Sequence, residues 1–175
     1  MLDLIIKNGK CYIDGELKDV DVAIKNGKIH QIGQILEEAK ETLNAEGQTV
    51  LPGCIDTQTH FREPGSTDTE DLHSGSRAAI AGGITSVFEM PNTNPPTSNK
   101  KEFQRKLDLA KNRMYCNYAF YFGATADNAD DLASLKDLEG CCGIKLFAGS
   151  STGNLLVAEE DDIDKVFQNA SKVVA

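Results

Sequence analysis

The sequence predicts an α/β chain in which a small β segment precedes a series of strand–helix units. Three observations carry that expectation. Up to about residue 50, apolar and polar positions alternate as in half-buried strands. From Leu51 onward, short apolar runs alternate with stretches of helical periodicity. Gly, Pro and Asn clusters then fall between these runs, where a chain must turn.

The first region, residues 1–50, holds "LDLIIKNGKCYI" and "DVDVAIKNGKIHQIG". Both contain Lys-Asn-Gly-Lys, and Asn-Gly between alternating apolar residues is a strong hairpin signal. Two hairpins explain the repeat without an internal duplication. The region carries no evident chemistry.

The second region, residues 51–175, opens with the strand "CIDTQTHF". A helix is expected within "TDTEDLHSGSRAAIAGG", where Thr67 and Glu70 stand at capping-box spacing and Gly82–Gly83 give a stop. The strand "ITSVFEM" and the loop "PNTNPPTSN" follow, then Asn99 and Glu102 open the helix "KKEFQRKLDLAKNR". A third strand, "YCNYAFYFGA", precedes the helix "DNADDLASLKDLE". The strand "CCGIKLFAG", a loop and the helix "DDIDKVFQNASKVV" complete the series.

Units of this kind fit an open doubly wound sheet or one half of an eight-fold barrel. No Gly-rich nucleotide-binding signature opens any of the helices. A complete (β/α)8 barrel takes about 250 residues, so a barrel here is an incomplete one. A chain of 175 residues has room for one well-buried domain, or a small domain and part of another.

Composition excludes some functions. A formal net charge of -9 argues against nucleic acid or an anionic membrane as partner, because both need clustered Lys and Arg. Charge interrupts the apolar run of "MLDLIIKNGK" too early for a signal peptide or membrane span. The 5 cysteines include the neighbours Cys141 and Cys142 and form no C-x-x-C. A reducing cytoplasm is the expected compartment.

Strand parity gathers the first candidate residues. Asp56, Gln58, His60 and Arg62 alternate along "DTQTHFREPG" and so share a face near the strand's C-terminal end, where barrel enzymes build their sites. A solvated polar face is the plainer account of the same pattern. Lys145 stands in the apolar strand "GCCGIKLFAG". It either reaches solvent or a carboxylate, or serves as a base, a Schiff-base amine or a carbamate. Asn92, in the Pro-stiffened "FEMPNTNPP", could bind an anionic or amide substrate or could simply turn the chain. His30 and His73 fit surface or packing roles, and Ser150, Ser151 and Thr152 fit a Ser/Thr-capped loop rather than a phosphate cradle. No Ser-His-Asp arrangement is evident.

Together, "LPGCIDTQTHFREPG", "AAIAGGITSVFEMPNTNPPT" and "GIKLFAGSSTGN" resemble the dihydroorotase family of cyclic amidohydrolases, in family order and at plausible separations. The resemblance implies the first half of a TIM-like (β/α)8 barrel behind a small β-domain, with one or two Zn2+ ions at the barrel mouth. It implies the reversible cyclisation of N-carbamoyl-L-aspartate to L-dihydroorotate in pyrimidine biosynthesis. On this resemblance His60 matches a zinc ligand, and Arg62 and Asn92 match the residues that hold the substrate carboxylate. Lys145 matches the lysine carried as a metal-bridging carbamate in many members.

Two departures qualify the match. Gln58 occupies the place of the signature's first histidine, and an amide oxygen is a poor substitute for imidazole at zinc. The family's later metal histidines and its general-base aspartate lie on strands beyond those present, and 3 histidines cannot supply the set. The expectation is therefore an enzyme by family whose first portion alone is inactive. The alternatives are a non-catalytic scaffold bound to aspartate transcarbamoylase, and a related allantoinase or dihydropyrimidinase. The carboxylate-binding arginine argues against the last. A homodimer is the other assembly that the resemblance suggests.

Overall fold

The structure, a computed structural model, describes residues 1–151 and 154–175. It divides into two compact units, Met1–Pro52 and Gly53–Ala175.

The first unit is all β. Strands β1 (Leu2–Lys7), β4 (Asp21–Lys25), β5 (Lys28–Gly33) and β6 (Ala39–Asn44) form a sheet in the order β5-β4-β1-β6. Strands β2 (Lys10–Ile13), β3 (Glu16–Asp19) and β7 (Thr49–Val50) form a second sheet, ordered β3-β2-β7. Leu2, Ile5, Ala23 and Ile35 make the buried centre.

Only the second Lys-Asn-Gly-Lys is a hairpin. Asn26 and Gly27 take φ of 54° and 71°, as a type I′ turn requires, and β4 pairs antiparallel with β5. At the first copy Asn8 is left-handed, but β1 pairs with β4 and β6, whereas β2 pairs with β3 and β7. That turn passes the chain from one sheet to the other. A hairpin does join β2 to β3, through Asp14 and Gly15 at φ 54° and 86°.

The second unit is a parallel sheet of β8 (Cys54–Thr59), β9 (Ile84–Glu89), β10 (Asn117–Gly123) and β11 (Cys141–Lys145). Its spatial order follows the sequence, β11-β10-β9-β8. A doubly wound sheet reverses direction at a switch point; this one never does. The order is that of consecutive barrel strands, and the unit is a half-barrel. The chain rejoins the sheet at its end: Ile144 N–H donates to Val173 O and Ala175 N–H to Ile144 O, both at 2.9 Å.

Helices α1 (Leu72–Ala81), α2 (Lys100–Ala110) and α3 (Glu160–Asn169) follow β8, β9 and β11. The segment after β10 is a 3₁₀ helix, Ala126–Leu135, rather than an α-helix. Its first turn is fixed by reciprocal Thr125–Asn128 capping, and the Asn128 amide also donates to Ser98 O and Gly123 O. The core joins Phe103 of α2 to Phe120 and Phe122 of β10, with ring centroids 6.4 and 6.1 Å apart, and adds Leu132, Leu135 and Ile144. No helix among the described residues is long and apolar enough to cross a membrane.

Asn99 caps α2 as the sequence predicts, accepting from Glu102 N–H at 2.9 Å. Helix α1 differs. It is capped by Asp71 with Ser74, in place of Thr67 with Glu70, and residues 67–69 form a turn. Glu70 instead accepts from the Ser74 hydroxyl. The later start lets the side chain of Glu63 accept from Leu72 N–H at 3.0 Å, a contact that returns at the site.

The Asp71 carboxyl lies below its ordinary value of 3.8, chiefly because Ser74 N–H donates to it. A depressed folded value adds stability that is complete above 3.8 and is lost as pH falls through the folded value. Asp71→Ala should therefore cost about 1 kcal/mol at pH 7. In urea melts the gap to wild type should narrow in acid; a gap of equal size at low pH would contradict this origin.

Candidate active site

Parallel pairing of β8 with β9 brings two loops together at the C-terminal end of the sheet. His60 directly follows β8 and Asn92 lies three residues beyond β9. Their side chains meet, His60 Nδ1 to Asn92 Oδ1, at 2.9 Å. An amide oxygen can only accept, so Nδ1 carries the proton and Nε2 keeps its lone pair. Burial is the main cause that lowers the imidazole's pKa. The charges of Arg62, Lys106 and Lys145 add to it, against the opposing Asn92 bond. His60 is thus a neutral ring presenting Nε2, the form a metal ligand takes.

Gln58 is exposed on β8, and Asp56 is half-buried. One Asp56 oxygen accepts from the Gln58 backbone N–H at 2.9 Å. Lys145, at the end of β11, is half-buried with its ammonium 5.0 Å from the Phe147 ring centroid. Among the described residues no three His, Cys, Asp or Glu side chains converge as a metal group. The described residues bring one strong donor, His60, to this end of the sheet and do not by themselves fit a closed zinc site, which takes three or four.

Arg62 and Asn92 line one cavity of about 440 Å³, together with Pro64, Ser66, Thr93 and Asn94. The Asn92 oxygen is used by His60, so its NH₂ remains to donate. Arg62 holds a left-handed backbone, φ 62°, a conformation that costs a non-glycine residue about 1–2 kcal/mol. Its neighbour carries the restraint. Glu63 accepts from both Arg113 terminal nitrogens at 2.8 and 3.1 Å, as well as from Leu72 N–H. Pro64 O accepts from Asn94 N–H at 2.9 Å, which ties the two loops together.

Two supporting pairs are absent from the sequence-based expectations: Glu63–Arg113, and Glu89 of β9 with Lys106 of α2. Lys106 Nζ contacts Glu89 Oε2 with both side chains at most 1% exposed. Burial pushes Glu89 up and Lys106 down, each towards its neutral form, and their mutual attraction opposes both shifts. A signal existed for each. Glu89 ends an otherwise apolar strand, and Lys106 follows Phe103 at helical spacing on the buried face. His30 is exposed on β5, and His73 packs edge-on against Tyr115 at 5.2 Å. Ser150 is exposed in its loop, Ser151 is half-buried, and Thr152 lies outside the described residues.

The profile of the amidohydrolase family matches residues 49–174. An allantoinase of Salmonella choleraesuis (strain SC-B67) is 42% identical over 149 residues, covering 85% of this chain and 33% of that protein. An allantoinase of Escherichia coli (strain K12 / DH10B) gives the same figures. Among solved structures, L-hydantoinase (dihydropyrimidinase) from Arthrobacter aurescens superposes with a TM-score of 0.89 at 28% identity, over 99% of this chain and 40% of that one. The D-hydantoinase (dihydropyrimidinase) from Thermus sp. gives 0.80 at 25% identity, over 98% and 39%. This chain spans about a third of the curated relatives' length. Their names match the allantoinase or dihydropyrimidinase alternative, the least favoured of the sequence-based expectations, and not dihydroorotase. On the profile match and the 42% identity, the chain belongs to the amidohydrolase family.

Proposed function

We propose that this chain is the N-terminal portion of a hydrolase of cyclic amides that acts on a substrate bearing a carboxylate. The expected pair is N-carbamoyl-L-aspartate and L-dihydroorotate. The observation that carries this reading is the cavity shared by Arg62 and Asn92. A guanidinium fork and an amide NH₂ suit a carboxylate, and Ser66 and Thr93 add hydroxyls around it. A second reading, an allantoinase- or hydantoinase-type substrate, is favoured by the 42% identity to allantoinases.

In either case this chain's residues bind and orient. Arg62 and Asn92 hold the part of the substrate remote from the scissile amide, which turns binding energy into positioning. Asn92 also keeps the His60 ring in one tautomer. A divalent metal such as Zn2+, when bound by the complete set, supplies a Lewis acid and lowers the pKa of its water towards about 7. His60 is the residue here suited to hold it, and the carbamate proposed for Lys145 would add an anionic ligand. Gln58 adds only a neutral oxygen, so this portion alone is not expected to turn over substrate.

Two outcomes are expected. Calorimetry on this chain should show carbamoyl aspartate or dihydroorotate binding, with Arg62→Ala weakening it by about 10- to 100-fold, the loss of a charged hydrogen bond. Binding of allantoin or hydantoin in preference to these carboxylates, likewise weakened by Arg62→Ala, would favour the second reading. Binding that Arg62→Ala leaves unchanged would remove Arg62 from the site under either reading. Gln58→His should raise the zinc retained on elemental analysis; equal zinc in both proteins would remove position 58 from the metal site.

A further inference from the structure

The peptide groups on both sides of His60 are held by the end of β9. Thr59 O accepts from Met90 N–H at 3.0 Å. Phe61 N–H donates to Glu89 Oε1 at 3.2 Å. The other Glu89 oxygen meets the Lys106 ammonium, which also donates to Met90 O at 2.9 Å and lies 5.0 Å from the Phe120 ring centroid. Pro91 then fixes the step to Asn92 through its restricted φ. One buried pair therefore grips the backbone next to His60 and the start of the loop that carries Asn92.

Stability alone is a weak reason for such a pair. Desolvating two ions costs several kcal/mol each, and apolar residues of similar size commonly serve as well or better. What apolar residues cannot supply is an acceptor for Phe61 N–H and a donor for Met90 O at the same point. We infer that Glu89 and Lys106 are positioning residues that set the His60–Asn92 hydrogen bond, and with it the tautomer of the imidazole. The inference rests on reading His60 and Asn92 as site residues, and it holds for either substrate class.

The test reads the ring itself. Nitrogen-15 spectra of the labelled chain, with His60 assigned by difference against His60→Gln, should show a single tautomer protonated at Nδ1. A wild-type ring protonated at Nε2 would sink the site reading rather than this inference. The double variant Glu89→Leu/Lys106→Met removes both ions and should remain folded by urea melt. Its tautomer ratio should move about tenfold towards the other form, the worth of one intramolecular hydrogen bond. Glu89→Gln keeps the volume and an oxygen for Phe61 N–H but loses the charge that holds Lys106; it should shift the ratio in the same direction. A wild-type ratio in either folded variant overturns the inference. So does unfolding of both, which would make the pair a stability element only.

Discussion

Parallel pairing of β8 with β9 is the constraint on which the site depends. It sends both strand ends, and the loops leaving them, to one edge of the sheet. Residues 32 apart in sequence then share a hydrogen bond, His60 to Asn92. The consecutive strand order keeps every later strand end at that same edge, so Lys145 arrives there as well. Barrel chemistry collects at this face for the same geometric reason.

The loops that bear the site are short of regular hydrogen bonds, and ion pairs make up the difference. Glu63 with Arg113 holds the segment beside the left-handed Arg62. Glu89 with Lys106 holds the peptides beside His60 and the base of the Asn92 loop. Both acids take a backbone N–H as well as a cation. Glu63 ties its loop to Leu72 of α1 and to Arg113 just past α2, and Glu89 ties Lys106 of α2 to the peptide after His60, so both helices are linked to the loop that follows β8. A left-handed arginine persists only where its surroundings over-determine it, and Glu63 and Pro64 do that here.

Much of the fold was legible because it is written in periodicity and caps. The strand–helix alternation, the cap at Asn99 and the hairpin at Asn26–Gly27 follow from local chemistry. The choice between a doubly wound sheet and a half-barrel did not, because strand order is a non-local property; the motif resemblance made that choice. Local signals failed where tertiary contacts overrode them. Glu70 took the Ser74 hydroxyl, so Asp71 became the cap. Asn8–Gly9 resembles Asn26–Gly27, yet a Cβ on Gly9 would meet Val50 and Ala45, and the chain there changes sheets. Strand parity expects Asp56, Gln58, His60 and Arg62 on one face, but β8 ends at Thr59 and Arg62 is left-handed, so the alternation stops short of the last two. Nor does any spacing rule pair Glu89 with Lys106 across a crossover.

The electrostatics divide the candidate site into unequal halves. Arg62, Lys106 and Lys145 all act to keep the His60 imidazole neutral. Glu89, whose Oε1 accepts from the Phe61 N–H next to His60, is buried and committed to Lys106. That field favours an anionic ligand and opposes a divalent cation, since like charges in a partly buried setting are poorly screened. Gln58, being neutral, leaves the balance unchanged. A metal beside His60 thus requires anionic donors in addition to those the described residues bring together. Conversion of the Lys145 ammonium to a carbamate would reverse one of the opposing charges. On the proposed reading Arg62 and Asn92 give this chain its anion-binding groups, whereas a metal would need donors beyond those the described residues bring together.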